Sequence, residues 1–232
     1  MKLKLLPVLV ALLLTIDGFG QPKSVSVPIH KSGDTTLLYK MQRQRIALMK
    51  MRDPLVSKDS LLLLVSSENW AVEIHTNDFR AFSGKRCLFT RQIVRDDKVQ
   101  SLNRKSELLF DSKPIKKSQA RAIYEAFMKR SIPAIPDQQD IRQWGMNFDG
   151  TSYAFEYATP ASYTLKSYSN PSSARYKVTE AEAVDDFVRE IESTLKLPVS
   201  FLTFLDKLPP GTYHTGGITA YTNAAKRRRA RK

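Results

Sequence analysis

Hydrophobic and polar positions alternate with a period of two through much of the chain. Leu61 to Val65 is a short apolar run closed by Ser66-Ser67-Glu68-Asn69, and Trp70, Val72 and Ile74 then alternate with Ala71, Glu73 and His75. Asn77-Asp78 breaks the pattern and Ser83-Gly84 turns the chain. Cys87, Phe89, Arg91 and Ile93 resume it, and Leu108 to Phe110 adds an edge. Alternation between turn residues predicts antiparallel strands over 60–112, with one face of the sheet covered. The clearest signal lies between 144 and 168. Trp144, Met146 and Phe148 lead into Asp149-Gly150, and Thr151, Tyr153, Phe155 and Tyr157 lead out. Asp-Gly tolerates the positive φ of a tight hairpin. Pro160 turns the chain once more into Tyr163 to Tyr168, which gives a three-stranded meander at about 144–168.

The period changes to that of a helix in three places. Over 118–130, Ala120, Ile123, Tyr124 and Phe127 share one face, and Pro133 and Pro136 end the element. A second helix starts at Thr179, where Thr179-Glu180-Ala181-Glu182 reads as a capping box. Its stripe is Val184, Phe187, Val188, Ile191 and Leu195, with Pro198 just past the end. A third runs from a cap at Asp34 to about Met51, carried by Leu37, Leu38, Met41, Arg45, Leu48 and Met49, unless that stretch is two short strands. Asp53-Pro54 ends it either way. Residues 21–33 read as an extended leader with Val25, Val27 and Ile29 alternating. With no fixed-period repeat, these elements predict one α+β domain over 21–225, a mostly antiparallel sheet packed by two or three amphipathic helices.

The first twenty residues follow another logic. Met1-Lys2-Leu3-Lys4 is a basic start, Leu5 to Ile16 carries no charge, and Gly18-Phe19-Gly20 puts small residues before a cut ahead of Gln21. Those three parts make a cleavable secretory signal peptide. The apolar run is far short of the roughly 20 residues a membrane-spanning helix needs. The expectation is an exported, soluble protein, periplasmic or extracellular, with no transmembrane span after cleavage.

Charge changes the picture at the other end. Of the formal +14, six charges lie in residues 226–232 with no acid among them, and the leader holds a net +1, which leaves +7 for the body. Such a run repels itself and is expected to be a disordered tail. Lys226, Arg227, Arg228, Arg229, Arg231 and Lys232 are candidate contacts for anionic envelope polymers; without interleaved aromatics they offer no specific nucleic-acid platform. The single cysteine, Cys87, forms no internal disulfide and reads as buried and inert.

No catalytic or cofactor motif assembles. His30, His75 and His214 stand far apart without metal-ligand spacing, so no metal is expected. There is no Gly-x-Ser-x-Gly elbow, and a Cys87–His75 pair rests on neighbouring segments alone. Residues 211–217 are glycine-rich but match neither a P-loop nor a dinucleotide fingerprint, and read as a flexible connection to the tail. No cofactor is expected. The meander gathers aromatic residues beside Asp149 and Glu156, with Tyr153, Phe155 and Tyr157 toward the core and Glu156 toward water; Asp149 serves the turn. The leading expectation is a non-enzymatic binding module for a protein or small ligand, presenting Glu156, Thr164, Lys166 and Tyr168 as a recognition surface, with His214 as an outlying candidate. A hydrolase-type enzyme assembled only in the fold is the alternative.

Overall fold

The computed structural model describes residues 22–29, 36–93, 106–145, 150–215 and 218–222. The leader, His30, Asp34, Met146 to Asp149 and the basic tail lie outside the described residues.

The elements run β1 (Ser24–Ser26), α1 (Leu37–Leu48), β2 (Leu61–Ser66), β3 (Trp70–Thr76), β4 (Ser83–Ile93), β5 (Ser106–Pro114), α2 (Lys117–Lys129), β6 (Ser152–Ala158), β7 (Ser162–Ser169), α3 (Pro171–Ala174), α4 (Thr179–Leu195), α5 (Leu197–Leu205), β8 (Gly211–Thr215) and β9 (Ile218–Thr222). The strands form one sheet in the order β1-β7-β6-β2-β3-β4-β8-β9, with β5 also on β4. Among the described residues only β1 on β7 is parallel. The fold is α+β with a mostly antiparallel sheet, as the alternation predicts. Because β5 pairs with β4 from Lys85 to Ile93, β3 (at 83–88) and β8 (at 91–92) share the other edge of β4, one after the other.

β6 and β7 are two of the expected meander strands, paired from Ser152↔Ser169 to Ala158↔Tyr163; most of the first, Met146 to Phe148, lies outside the described residues. Trp144 and Gly145 lie outside any strand. The next neighbour of β6 is β2, through Leu62↔Ala158 and Val65↔Phe155. A second departure matters more, because both sheet faces are covered. On one face Leu63, Val65, Trp70, Val72, Ile74, Phe155 and Tyr168 pack with Ile123, Phe127, Val184, Phe187 and Phe201 of the helices. On the other, Leu64, Ala71, Cys87 and Phe89 meet Ile46 of α1 and Met49 just past its end, and Leu62, Ala154 and Tyr163 meet Leu38 and Tyr39. All six β2 residues are buried, which is why that strand reads as a continuous apolar run rather than an alternating one.

Local chemistry sets the helix ends. Thr36, not Asp34, opens α1, its hydroxyl accepting from Tyr39 N at 3.4 Å. Val178 is the N-cap of α4, and Thr179 lies inside the first turn without the expected capping box. That turn carries Glu180 and Glu182 instead, which favour the positive end of the helix. Lys196 in the left-handed region (φ 51°) breaks the chain between α4 and α5, and Pro198 sits in the first turn of α5. Pro198 therefore opens a helix as well as following one. Residues 211–217 also differ from expectation: most of them are β8, not a flexible connection. Among the described residues no helix is long and apolar enough to cross a membrane.

Candidate functional site

The covering of the second face decides what the buried acids do. Glu156 projects beneath α1, where its Oε2 accepts from Arg43 Nη2 at 2.8 Å and from the Tyr163 hydroxyl at 2.7 Å. Burial pushes its carboxyl above the ordinary carboxylate range, against the pull of Arg43 and Tyr163. Arg43 bridges onward to Asp53 and lies over the Tyr39 and Tyr163 rings. Across Leu64 in the same row, Glu73 accepts from Arg52 N at 2.8 Å, with Arg52 Nε, His75 Nδ1 and Lys85 Nζ 3.6–3.8 Å from its oxygens. Burial and nearby Arg52 lower the pKa of His75. Beside β7, Asp137 accepts from Ser167 N at 2.7 Å and from the Ser167 hydroxyl, and on α4 Asp185 binds Arg175 and Arg189. Each of these carboxylates ties two or more elements together.

Three recesses open around the turn between β2 and β3. The first, about 330 Å³, runs between α1 and the ends of β2, β6 and β7, with Gln42, Arg45, Ser67, Glu68, Tyr153 and Ser169 in its wall. The second, about 270 Å³, lies beside α1 over β4 and includes Arg45, Glu68, Phe89, Arg91 and His214. The third, about 380 Å³, is bounded by Ser67 to Trp70, by Thr151 and Tyr153, by Glu192 of α4, by Phe201 and Leu205 of α5, and by Thr215 and Ala220 of the last hairpin. Glu68 belongs to all three, and Tyr153 to the first and third. Arg45 fastens the turn from the α1 side, donating to Ser67 O at 3.0 Å with its guanidinium 4.9 Å from the Phe89 ring centroid. Burial and Arg91 lower its pKa.

The five residues expected to form one recognition surface do not converge. Glu156 is 2% exposed and Tyr168 is fully buried. The register pairs Tyr157 with Thr164, Phe155 with Lys166 and Tyr153 with Tyr168, so these lie on the face opposite Glu156. The ammonium of Lys166 donates to the carbonyls of Pro133 and Ile135, at 2.7 and 2.5 Å, and the Tyr168 hydroxyl to Pro136 O at 2.9 Å. An antiparallel sheet with one wet face would turn Glu156 to water; here α1 covers that face. His214 is exposed on β8 and lies in the wall of the second recess with Glu68. His75 pairs with Ser83 while Cys87 pairs with Ala71, four residues further along the strand, so they make no catalytic pair. Cys87 is fully buried, and burial pushes its thiol up to about 12.

What sequence reasoning missed is the group around the third recess. Trp70 reads as strand core, Glu192 as the polar side of a helix, Phe201 as chain past a terminating proline, and Thr215 as part of a glycine-rich connection. The packing of α4 and α5 beside the turn that precedes β3 gathers the first three, and the return of β8 adds Thr215. No protein-family model, no curated protein and no solved structure matches this chain.

Proposed function

We propose that the chain is exported and acts outside the cytoplasm as a binding protein, taking its ligand into the recesses that meet at the Ser66–Asn69 turn. One observation carries the reading: three adjoining hollows share Glu68, and two share Tyr153, around one turn at the end of the sheet. The buried carboxylates elsewhere are held in ion pairs and hydrogen bonds that join elements, a role in the fold rather than in turnover. The leader supports export through its basic start, its short apolar run and the small residues ahead of Gln21.

The test is a thermal-shift screen of the full chain against sugars, amines, carboxylates and cell-wall fragments. A ligand at 100 times its Kd adds about 2.7 kcal/mol, roughly 5–10 °C for a domain of this size. A shift that disappears in Tyr153→Leu supports the cleft; shifts indifferent to that substitution count against it. Export has its own check: intact mass of protein recovered outside the cytoplasm should begin at Gln21, and a chain that keeps Met1 rules the leader out. The six charges of residues 226–232 favour a second, weaker reading, contact with anionic envelope polymers. Salt-sensitive polyanion binding that survives removal of those residues refutes it.

A further inference from the structure

The third recess has a character of its own. In a chain with 37 lysines and arginines against 23 acids, the described residues of its wall include two carboxylates, Glu68 and Glu192, and no Lys, Arg or His. Three aromatic rings, Trp70, Tyr153 and Phe201, line it as well, with Trp70 and Tyr153 6.1 Å apart and inclined at 43°. Burial raises the pKa of the Glu192 carboxyl, and the Trp70 side chain beside it pulls the other way. Arg189, the cation that acts on Glu192 from its own helix, is held by Asp185 at 2.9 Å. Arg45, which acts on Glu68, is committed to Ser67 O and the Phe89 ring.

A separate observation marks the same wall. Thr215 is 8% exposed, and among the described residues its buried Oγ1 has no hydrogen-bond partner. Buried hydroxyls are ordinarily paired, and one without a partner beside a cavity can accept from, or donate to, a group that reaches it. Carboxylate, aromatic face and free acceptor together describe the surroundings of an ammonium group. The carboxylate neutralises the charge, the rings attract it through their quadrupoles, and the hydroxyl takes an N–H.

We propose that this cavity binds a small organic cation, a primary amine carried on an apolar or aromatic body, with Glu192 as its counter-ion, Trp70 and Tyr153 as its walls and Thr215 as an acceptor. The assignment rests on the binding reading above and narrows its ligand class. A volume of about 380 Å³ suits a compact molecule rather than a polymer.

The probe is 2-phenylethylamine, compared with 2-phenylethanol and phenylacetate, which share its body but not its charge. Binding is read from tryptophan fluorescence of the full chain carrying Trp144→Phe, which leaves Trp70 as the reporter. The amine should saturate with a Kd below about 1 mM, and the alcohol and the carboxylate should bind at least about tenfold more weakly. Glu192→Gln should lower the amine's affinity about tenfold or more, and Thr215→Val about threefold. Thermal melts confirm that both variants fold, and Glu68→Gln serves as a second carboxylate test if Glu192→Gln does not. Phenylacetate or the alcohol binding as tightly as the amine overturns the proposal. So does the absence of saturable amine binding, or an affinity unchanged in both carboxylate variants. A neutral or anionic ligand whose thermal shift disappears in Tyr153→Leu would sink the cation assignment while leaving the binding protein standing.

Discussion

Replacing Arg43 by Met isolates the bond that fastens α1 to the sheet. The Glu156 side chain is only 3% exposed, and its Oε2 receives the Arg43 guanidinium and the Tyr163 hydroxyl. Removing one partner of a buried ion pair costs about 3–5 kcal/mol, because the remaining charge is left in a poor solvent. Two features reduce that here. Tyr163 stays in place, and Arg43 is 20% exposed, so water can enter as it leaves. The bridge to Asp53, whose side chain is 44% exposed, adds little. A loss of about 2–3 kcal/mol near neutral pH follows, about 5–10 °C in Tm. The double variant Arg43→Met with Glu156→Gln removes the stranded charge and should be more stable than Arg43→Met alone.

The pH dependence gives a second handle on the same bond. Burial already holds the Glu156 carboxyl above its ordinary value, and losing Arg43 raises it further. A carboxyl whose folded pKa lies above its unfolded value stabilises the fold below the unfolded pKa, near 4.3, and loses that contribution as pH rises through the folded pKa. The deficit of Arg43→Met should therefore shrink between about pH 7.5 and pH 5. Urea melts followed by tryptophan fluorescence measure it at both pH values. A deficit under about 0.5 kcal/mol, one that stays constant with pH, or a double variant no better than the single would refute the reasoning.

Gly84 offers a steric test: a Cβ there would lie 2.2 Å from the Glu73 carbonyl oxygen, so β3 and β4 must part. Gly84→Ala should cost about 2–4 kcal/mol, read as a fall in Tm of roughly 5–15 °C; a change within 2 °C refutes the close approach. Cys87 should resist a thiol reagent such as Ellman's in the native chain and react fully on unfolding, as a buried thiol near 12 requires. Rapid native labelling would contradict that burial. Asp137→Ala removes the acceptor for Ser167 N, the Ser167 hydroxyl and Gln139 N, and should cost about 2–3 kcal/mol in a denaturant melt; Asp137→Asn should recover part of it.

The sheet and the two long amphipathic helices were legible because their periods are long and clean: Leu61 to Val65, Trp70 to Ile74, Ala120 to Phe127 and Val184 to Leu195 all lie where the pattern puts them. The second covered face was not. Leu37, Met41 and Leu48 of the stripe expected on α1 are exposed, while the guanidinium groups of Arg43 and Arg45 reach inward to Glu156 and Ser67 O. Hydropathy cannot show a charge whose partner comes from another segment, so Glu156 read as solvent-facing. The helix α5 was hidden by Pro198, since proline marks a helix's first turn as well as its end. The hairpin of β8 and β9 was hidden by its glycines. Both belong to the third recess, so the site was lost with the elements that build it.

The order in which the chain leaves a ribosome gives that hairpin a further meaning. Strands β2 to β7 and helix α4 hold Trp70, Tyr153 and Glu192, so most of the wall is in place once residue 195 has arrived. Thr215 and Ala220 come only from the last described hairpin, which attaches to β4 through Arg91 and Gln92, some 120 residues earlier in the sequence. A chain halted before residue 211 lacks Thr215 and Ala220 of that wall. Ligand affinity at the third recess would then depend on the docking of the last hairpin onto β4, a contact distant in sequence from the rest of the wall.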